Sequence, residues 1–110
     1  HTFLYQEDLL NFCRSHKIQL EAYSPIARAK FFDNDTLQKV SAKYGKTPAQ
    51  VMLAWCVNHD VVVIPKSVNE NRIQENADIY FELDQEDMQA LDTLEPQKRL
   101  IGISHEVPTW

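Results

Sequence analysis

The sequence predicts an α/β chain with a parallel sheet, on three observations. Two short β-prone runs, at 18–24 and 61–65, are separated by helical segments. The second run, Val61-Val62-Val63-Ile64-Pro65, is continuously apolar, which suits a parallel strand covered on both faces. The order is helix, strand, two helices, strand, two helices, which implies right-handed crossovers between parallel strands. Two strands cannot cover both faces of 61–65, so the remaining sheet is expected from elsewhere.

Taken in order, residues 5–16 read as a helix with Leu9, Leu10, Phe12 and Cys13 as its apolar stripe. Residues 18–24 alternate and end at Pro25, as a strand does. A loop covers 25–33. Residues 34–44 read as a helix with Leu37, Val40 and Tyr44 on one face and Gly45 as its stop. Thr47-Pro48-Ala49-Gln50 is a capping box with proline at the first helical position. The helix it opens, to about Asn58, is apolar around most of its circumference and is expected to be buried. The three valines at 61–63 favour a strand over a helix. A helix starts near Asn69 with Ile73 facing inward, and a last one starts at Asp84. There Leu83 and Met88 form a hydrophobic staple, and Met88, Leu91 and Leu94 form the stripe. Residues 95–110 read as a tail.

The chain has 110 residues, 44% of them hydrophobic and 25% charged, with a net charge of −5. That balance argues against nucleic acid or an anionic membrane as partner. No apolar run approaches the ~20 residues that span a bilayer, and no basic-then-apolar leader opens the chain. Cys13 and Cys56 are too few for a disulfide framework. A cytoplasmic location is expected. The first residue is His1 rather than Met, and an excised piece of a larger protein is the expectation.

The strongest chemical constellation is Pro65-Lys66-Ser67 followed by Asn69, Arg72, Glu75 and Asn76. Lys66 stands at the C-terminal end of a strand, where ligands gather in parallel α/β folds. Asn69 is a good N-cap, and a helix N-terminus attracts anions. Arg72 in the first turn adds a bidentate phosphate partner, with Asn76 on the same face. Glu75 orients Arg72 or accepts from a ribose or adenine group. On physics alone two readings stand level: an anion site, or a solvated helix start whose charges serve solubility. Tyr23, at the end of the first strand, is on its own better read as an aromatic packing there than as a ligand platform.

Three other patterns carry less. Gly45-Lys46-Thr47 resembles the end of a P-loop, but Val40 stands where the motif needs glycine. Cys13-x-x-His16 and Cys56-x-x-His59 lack the spacing of structural zinc sites and read as core cysteines with histidines near helix C-termini. No metal ligand is therefore assigned. Residues 34–58 have helix-turn-helix order, but the second helix has no Lys or Arg to offer a base.

Together, Ala22-Tyr23-Ser24-Pro25, Lys46-Thr47-Pro48-Ala49-Gln50-Val51, Val63-Ile64-Pro65-Lys66-Ser67-Val68 and Arg72-Ile73-x-Glu75-Asn76 resemble the aldo-keto reductases. Phe81-Glu82-Leu83 leading into Glu86-Asp87-Met88 fits as well, so the resemblance covers about residues 1–95. It implies the C-terminal portion of a (β/α)8 barrel, with 18–24 and 61–66 as strands seven and eight over residues 1–94 and His1 at the end of strand six. The helices at 34–44 and 84–94 resemble the two that the family adds outside the barrel repeat. It implies NADPH or NADP+ as cofactor and a small carbonyl compound as substrate. Tyr23 would stack on the nicotinamide, with Ser24 and Ile26 beside the pyrophosphate or ribose. Lys66, Ser67, Asn69 and Arg72 would hold the 2′-phosphate, and Glu75 and Asn76 would contact adenine. Ala27-Arg28-Ala29-Lys30 departs from the small residues common after the Ser-Pro segment, and Arg28 or Lys30 would then supply charge to the pyrophosphate.

The resemblance also implies that the residues that carry out the family's reduction precede this chain, so none here is assigned as catalytic. The parent protein is expected to be an oxidoreductase and the isolated chain inactive. Ile101, His105 and Trp110 are the tail's candidates for the substrate pocket. The competing expectation is a non-enzymatic module that binds a nucleotide or protein and self-associates through its incomplete sheet.

Overall fold

The computed structural model, which describes residues 1–101, has five α-helices and a short two-stranded sheet. The order is α1 (Glu7–Ser15), β1 (Glu21–Ala22), α2 (Asp35–Tyr44), α3 (Pro48–Asn58), β2 (Val62–Val63), α4 (Glu70–Ala77) and α5 (Gln85–Asp92). β1 and β2 pair in parallel, with Glu21 opposite Val62 and Ala22 opposite Val63. The expected α/β order with a parallel sheet is therefore present.

Helix starts follow local chemistry. Asn34 caps α2 by accepting from Leu37 N–H at 3.0 Å. Gly45 ends that helix in the left-handed region at φ 62, where a side chain would be strained. Thr47 and Gln50 form the reciprocal capping box of α3, with bonds of 3.3 and 3.0 Å. Asn69 and Asp84 cap α4 and α5 by accepting the N–H of Arg72 and of Asp87.

The centre of the molecule is α3. Val51, Met52, Leu53, Ala54, Trp55 and Cys56 are all buried. Leu37 and Val40 of α2, Leu91 of α5 and Phe3 join the same core. Truncating one of these large side chains to alanine costs about 2–5 kcal/mol through lost contacts and a cavity. Polar ties then fix α3 against its neighbours. Trp55 Nε1–H donates to Oδ1 of Asp92 at 2.8 Å, and Nε2 of His59 lies 2.8 Å from the same oxygen. Gln50 Nε2 donates to the carbonyl oxygens of Glu75 and Asp78 at the end of α4.

The strands differ from expectation in length and cover. Regular pairing is two residues in each, against the broader runs 18–24 and 61–65. Val61 and Val63 pack on the core, whereas Val62 and Ile64 are 44% and 52% exposed. The physical reason is that α3 covers one side of β2 and no described element covers the other. The same reason accounts for Ile73, expected inward and found 53% exposed, and for Leu9 and Phe12 at the margin of α1.

Leu10 and Cys13 are the residues of α1 that are buried. Among the described residues, no helix is long and apolar enough to cross a membrane. His105 and Trp110 lie outside the described residues; Ile101 is half-buried.

Candidate functional site

Because β1 and β2 run parallel, the segments that leave their C-terminal ends emerge at the same end of the sheet. Both groups of sequence-predicted residues lie on those segments. Tyr23, Ser24 and Ile26 follow β1, and Lys66, Ser67, Asn69, Arg72, Glu75 and Asn76 run from the end of β2 into α4.

The corner between β2 and α4 is held by its own polar side chains. Ser67 Oγ accepts the Asn69 N–H at 3.1 Å and donates to the Asn69 carbonyl at 3.3 Å. Asn69 Oδ1 accepts the Arg72 N–H at 3.1 Å. The cap satisfies the third amide of the helix, leaving the Glu70 and Asn71 amides, which have no partner within a helix, at its positive end. Lys66 and Arg72 are exposed. Neither forms an ion pair with a described residue, unlike Arg14, Lys43 and Lys46. Lys43 is clamped by Asp84 and Asp87 at 2.5 and 2.7 Å, and these hydrogen bonds raise its pKa. Lys46 is held by Asp78 at 2.6 Å. The cations at the β2–α4 corner are thus uncommitted to described carboxylates, beside a helix N-terminus. That arrangement suits an anion with several oxygens. Glu75 and Asn76 are half-buried farther along α4.

The segment after β1 is shaped by its backbone. Ser24, Ala27, Arg28 and Ala29 have φ of 49, 50, 55 and 59. Ala27–Ala29 forms one turn of left-handed backbone, closed by Ala29 N–H to Ile26 C=O at 2.9 Å and Lys30 N–H to Ala27 C=O at 3.2 Å. Left-handed geometry costs roughly 1–2 kcal/mol for each residue that carries a Cβ. Arg28 and Lys30 are exposed on this turn. The ring of Tyr23 is half in solvent, 50% exposed, rather than packed away at the strand end.

A cavity of about 250 Å³ lies beside Tyr23, with Tyr5, Leu10, Trp55, His59 and Leu100 among its walls. One further residue reaches this region: Arg99, whose Nη1 is 3.4 Å from the Tyr23 hydroxyl. Sequence reasoning missed it, because the tail matches no pattern and the contact joins opposite ends of the chain.

The cysteines take the positions expected of core residues. Cys13 and Cys56 are buried and unpaired, and burial pushes the Cys56 thiol up to about 11. His16 and His59 are the C-caps of α1 and α3. Among the described residues, no three His, Cys, Asp or Glu side chains gather as a metal would need.

A model of the aldo/keto reductase family matches residues 2–96. Glyoxal reductase of Bacillus subtilis is 46% identical over 101 residues, covering 91% of this chain and 37% of that protein. Methylglyoxal reductase DkgA of Escherichia coli is 40% identical over 103 residues, covering 91% and 38%. Among solved structures, an aldo-keto reductase from a Medee basin deep-sea metagenome library matches with a TM-score of 0.87 at 34% identity, covering 93% of this chain and 40% of that one. An aldo-keto reductase complexed with NADPH matches with a TM-score of 0.82 at 34% identity, covering 92% and 35%. The chain therefore spans somewhat more than a third of the curated relatives named here.

Proposed function

Since the chain belongs to the aldo/keto reductase family, we propose that it is the NADPH-holding part of a cytoplasmic carbonyl reductase. In this reading β1 and β2 are the seventh and eighth strands of a (β/α)8 barrel. The rest of the barrel meets the uncovered face that bears Val62 and Ile64. The observation that carries the proposal is the pair Lys66 and Arg72 beside the N-terminus of α4, exposed and without a described carboxylate partner.

Each residue then has a role. Lys66 and Arg72 neutralise the adenosine 2′-phosphate, which gives the site its preference for NADPH over NADH. Ser67 and Asn69 set the corner and offer their remaining hydrogen-bonding capacity to the same phosphate. Glu75 and Asn76 meet the adenine. Tyr23 offers its ring face to the nicotinamide, and Ser24 and Ile26 border the ribose and pyrophosphate. Arg28 and Lys30 add positive charge beside the pyrophosphate.

NADPH, when bound, supplies the hydride that reduces an aldehyde or ketone to an alcohol. This chain's residues hold and orient; the group that protonates the carbonyl oxygen belongs to the part of the barrel outside it. The named relatives reduce glyoxal and methylglyoxal, so a small aldehyde or ketone is the substrate class.

The test is Lys66→Met with Arg72→Met in the full-length protein, with NADPH and NADH titrated by tryptophan fluorescence. Each lost charge-assisted contact is worth about 1.5–3 kcal/mol, so NADPH binding should weaken at least tenfold while NADH binding stays level. The preference for NADPH should also fade as salt is raised. Unchanged NADPH affinity in the double variant would overturn the assignment.

A further inference from the structure

Arg99 stands on a segment that the rest of the molecule ties down. Lys98 N–H donates to the Phe3 carbonyl at 2.7 Å. Gln97 Oε1 accepts the Tyr5 N–H at 2.9 Å, and its Nε2 donates to the Leu94 carbonyl at 2.6 Å and the Thr2 carbonyl at 3.4 Å. Residues 97 and 98 are thus bound to the segment before α1. From that anchor the guanidinium of Arg99 spreads to two partners. Nη2 donates to Oε1 of Gln6, the N-cap residue of α1, at 3.1 Å. Nη1 donates to the Tyr23 hydroxyl at 3.4 Å. One planar group therefore joins the tail, the start of α1 and the end of β1.

The consequence for Tyr23 is mechanical. Its backbone is held where β1 ends, but half of the side chain is in solvent, so the ring would otherwise turn about its χ angles. A guanidinium has fixed fork geometry and cannot lose its proton. With one arm on Gln6, the other holds the hydroxyl and so limits the swing of the ring's far end about χ1. A stacking platform needs that position set in advance, because ordering the side chain on binding costs free energy.

We infer that Arg99 is a positioning residue: it fixes the ring of Tyr23 for the nicotinamide half of the cofactor and takes no part in holding the adenosine half. This rests on the reading of Tyr23 as the stacking residue. The Nη1 contact is long and exposed, so the expected effect is modest.

The experiment compares two ligands in the full-length protein: NADPH, and adenosine 2′,5′-bisphosphate, which lacks the nicotinamide. Arg99→Met should weaken NADPH roughly three- to tenfold, as for one hydrogen bond, and leave the bisphosphate unchanged. Tyr23→Phe keeps the ring and removes the hydroxyl, so Arg99→Met should add almost nothing in that background. Equal weakening of both ligands would mean a general structural role and overturn the inference. So would an undiminished Arg99→Met effect beside Tyr23→Phe, or no effect where Tyr23→Ala weakens NADPH. If Tyr23→Ala itself leaves NADPH binding intact, the reading of Tyr23 fails and the inference falls with it.

Discussion

The phenol of Tyr44 donates to Oδ2 of Asp87 at 2.8 Å, and Lys43 Nζ lies 2.7 Å from the same oxygen. Tyr44 Oη also accepts the Asp84 N–H at 2.9 Å. This cluster fastens α2 to the first turn of α5, with Asp87 itself mostly buried. Asp87→Ala leaves the phenol and the ammonium without that acceptor and should lower stability by about 1–3 kcal/mol. Asp87→Asn, which keeps an acceptor oxygen, should cost less. Urea midpoints of the two variants would check the order.

Gly45 sits at φ 62 with open space where a Cβ would go. Any cost of Gly45→Ala therefore comes from backbone strain rather than a clash, about 1 kcal/mol. Gly45→Asn should cost less, since asparagine tolerates this region better. Equal thermal midpoints for glycine and alanine would contradict the left-handed stop.

Acid should loosen two of the ties between helices. The Lys46 ammonium beside Asp78 holds that carboxyl below its ordinary 3.8, and Lys43 does the same to Asp84. A carboxylate with a depressed folded-state pKa binds fewer protons folded than unfolded at low pH. Its contribution is therefore present above 3.8 and lost as pH falls through the lower folded value. Both groups are exposed, so salt should shrink the effect. Urea midpoints measured across the acid range should fall less steeply in Asp78→Asn than in the parent.

Cys56 predicts the opposite limb. Burial raises its thiol from 9.0 to about 11, so the unfolded chain deprotonates first. The stabilising contribution is complete below 9.0 and is lost as pH rises towards about 11. The thiol should also resist a disulfide reagent until the fold opens. Rapid modification in the absence of denaturant would contradict its burial. Cys56→Ala should flatten the alkaline limb.

What was legible in the sequence was what neighbouring residues decide. The capping box of Thr47 and Gln50, the stop at Gly45 and the caps at Asn69 and Asp84 all rest on contacts within a few positions. They appear where the residues predict them. The buried circumference of α3 was legible because seven successive apolar residues, Val51 to Val57, leave no polar face. Strand length was not, since pairing depends on a partner distant in sequence. The inward placement of Ile73 was wrong for the described residues, because a stripe on a helix does not say what lies against it.

The site divides in the same way. Lys66, Asn69 and Arg72 share one corner, and their spacing alone brought them together. Arg99 meets Tyr23 across most of the chain, and nothing near either residue announces the contact.

The pairing of Glu21 with Val62 sets the order in which this chain can assemble. The two strands are joined through the whole of α2 and α3, so closing the loop between them is entropically expensive before those helices have docked. Helices this short are marginal on their own, so their docking and the pairing of the strands are coupled. A ribosome making this chain must therefore release α3 before β1 can pair with β2. Until then the Tyr23 end of β1 lacks its β2 partner, and the two groups of candidate binding residues come together only after β2 has emerged.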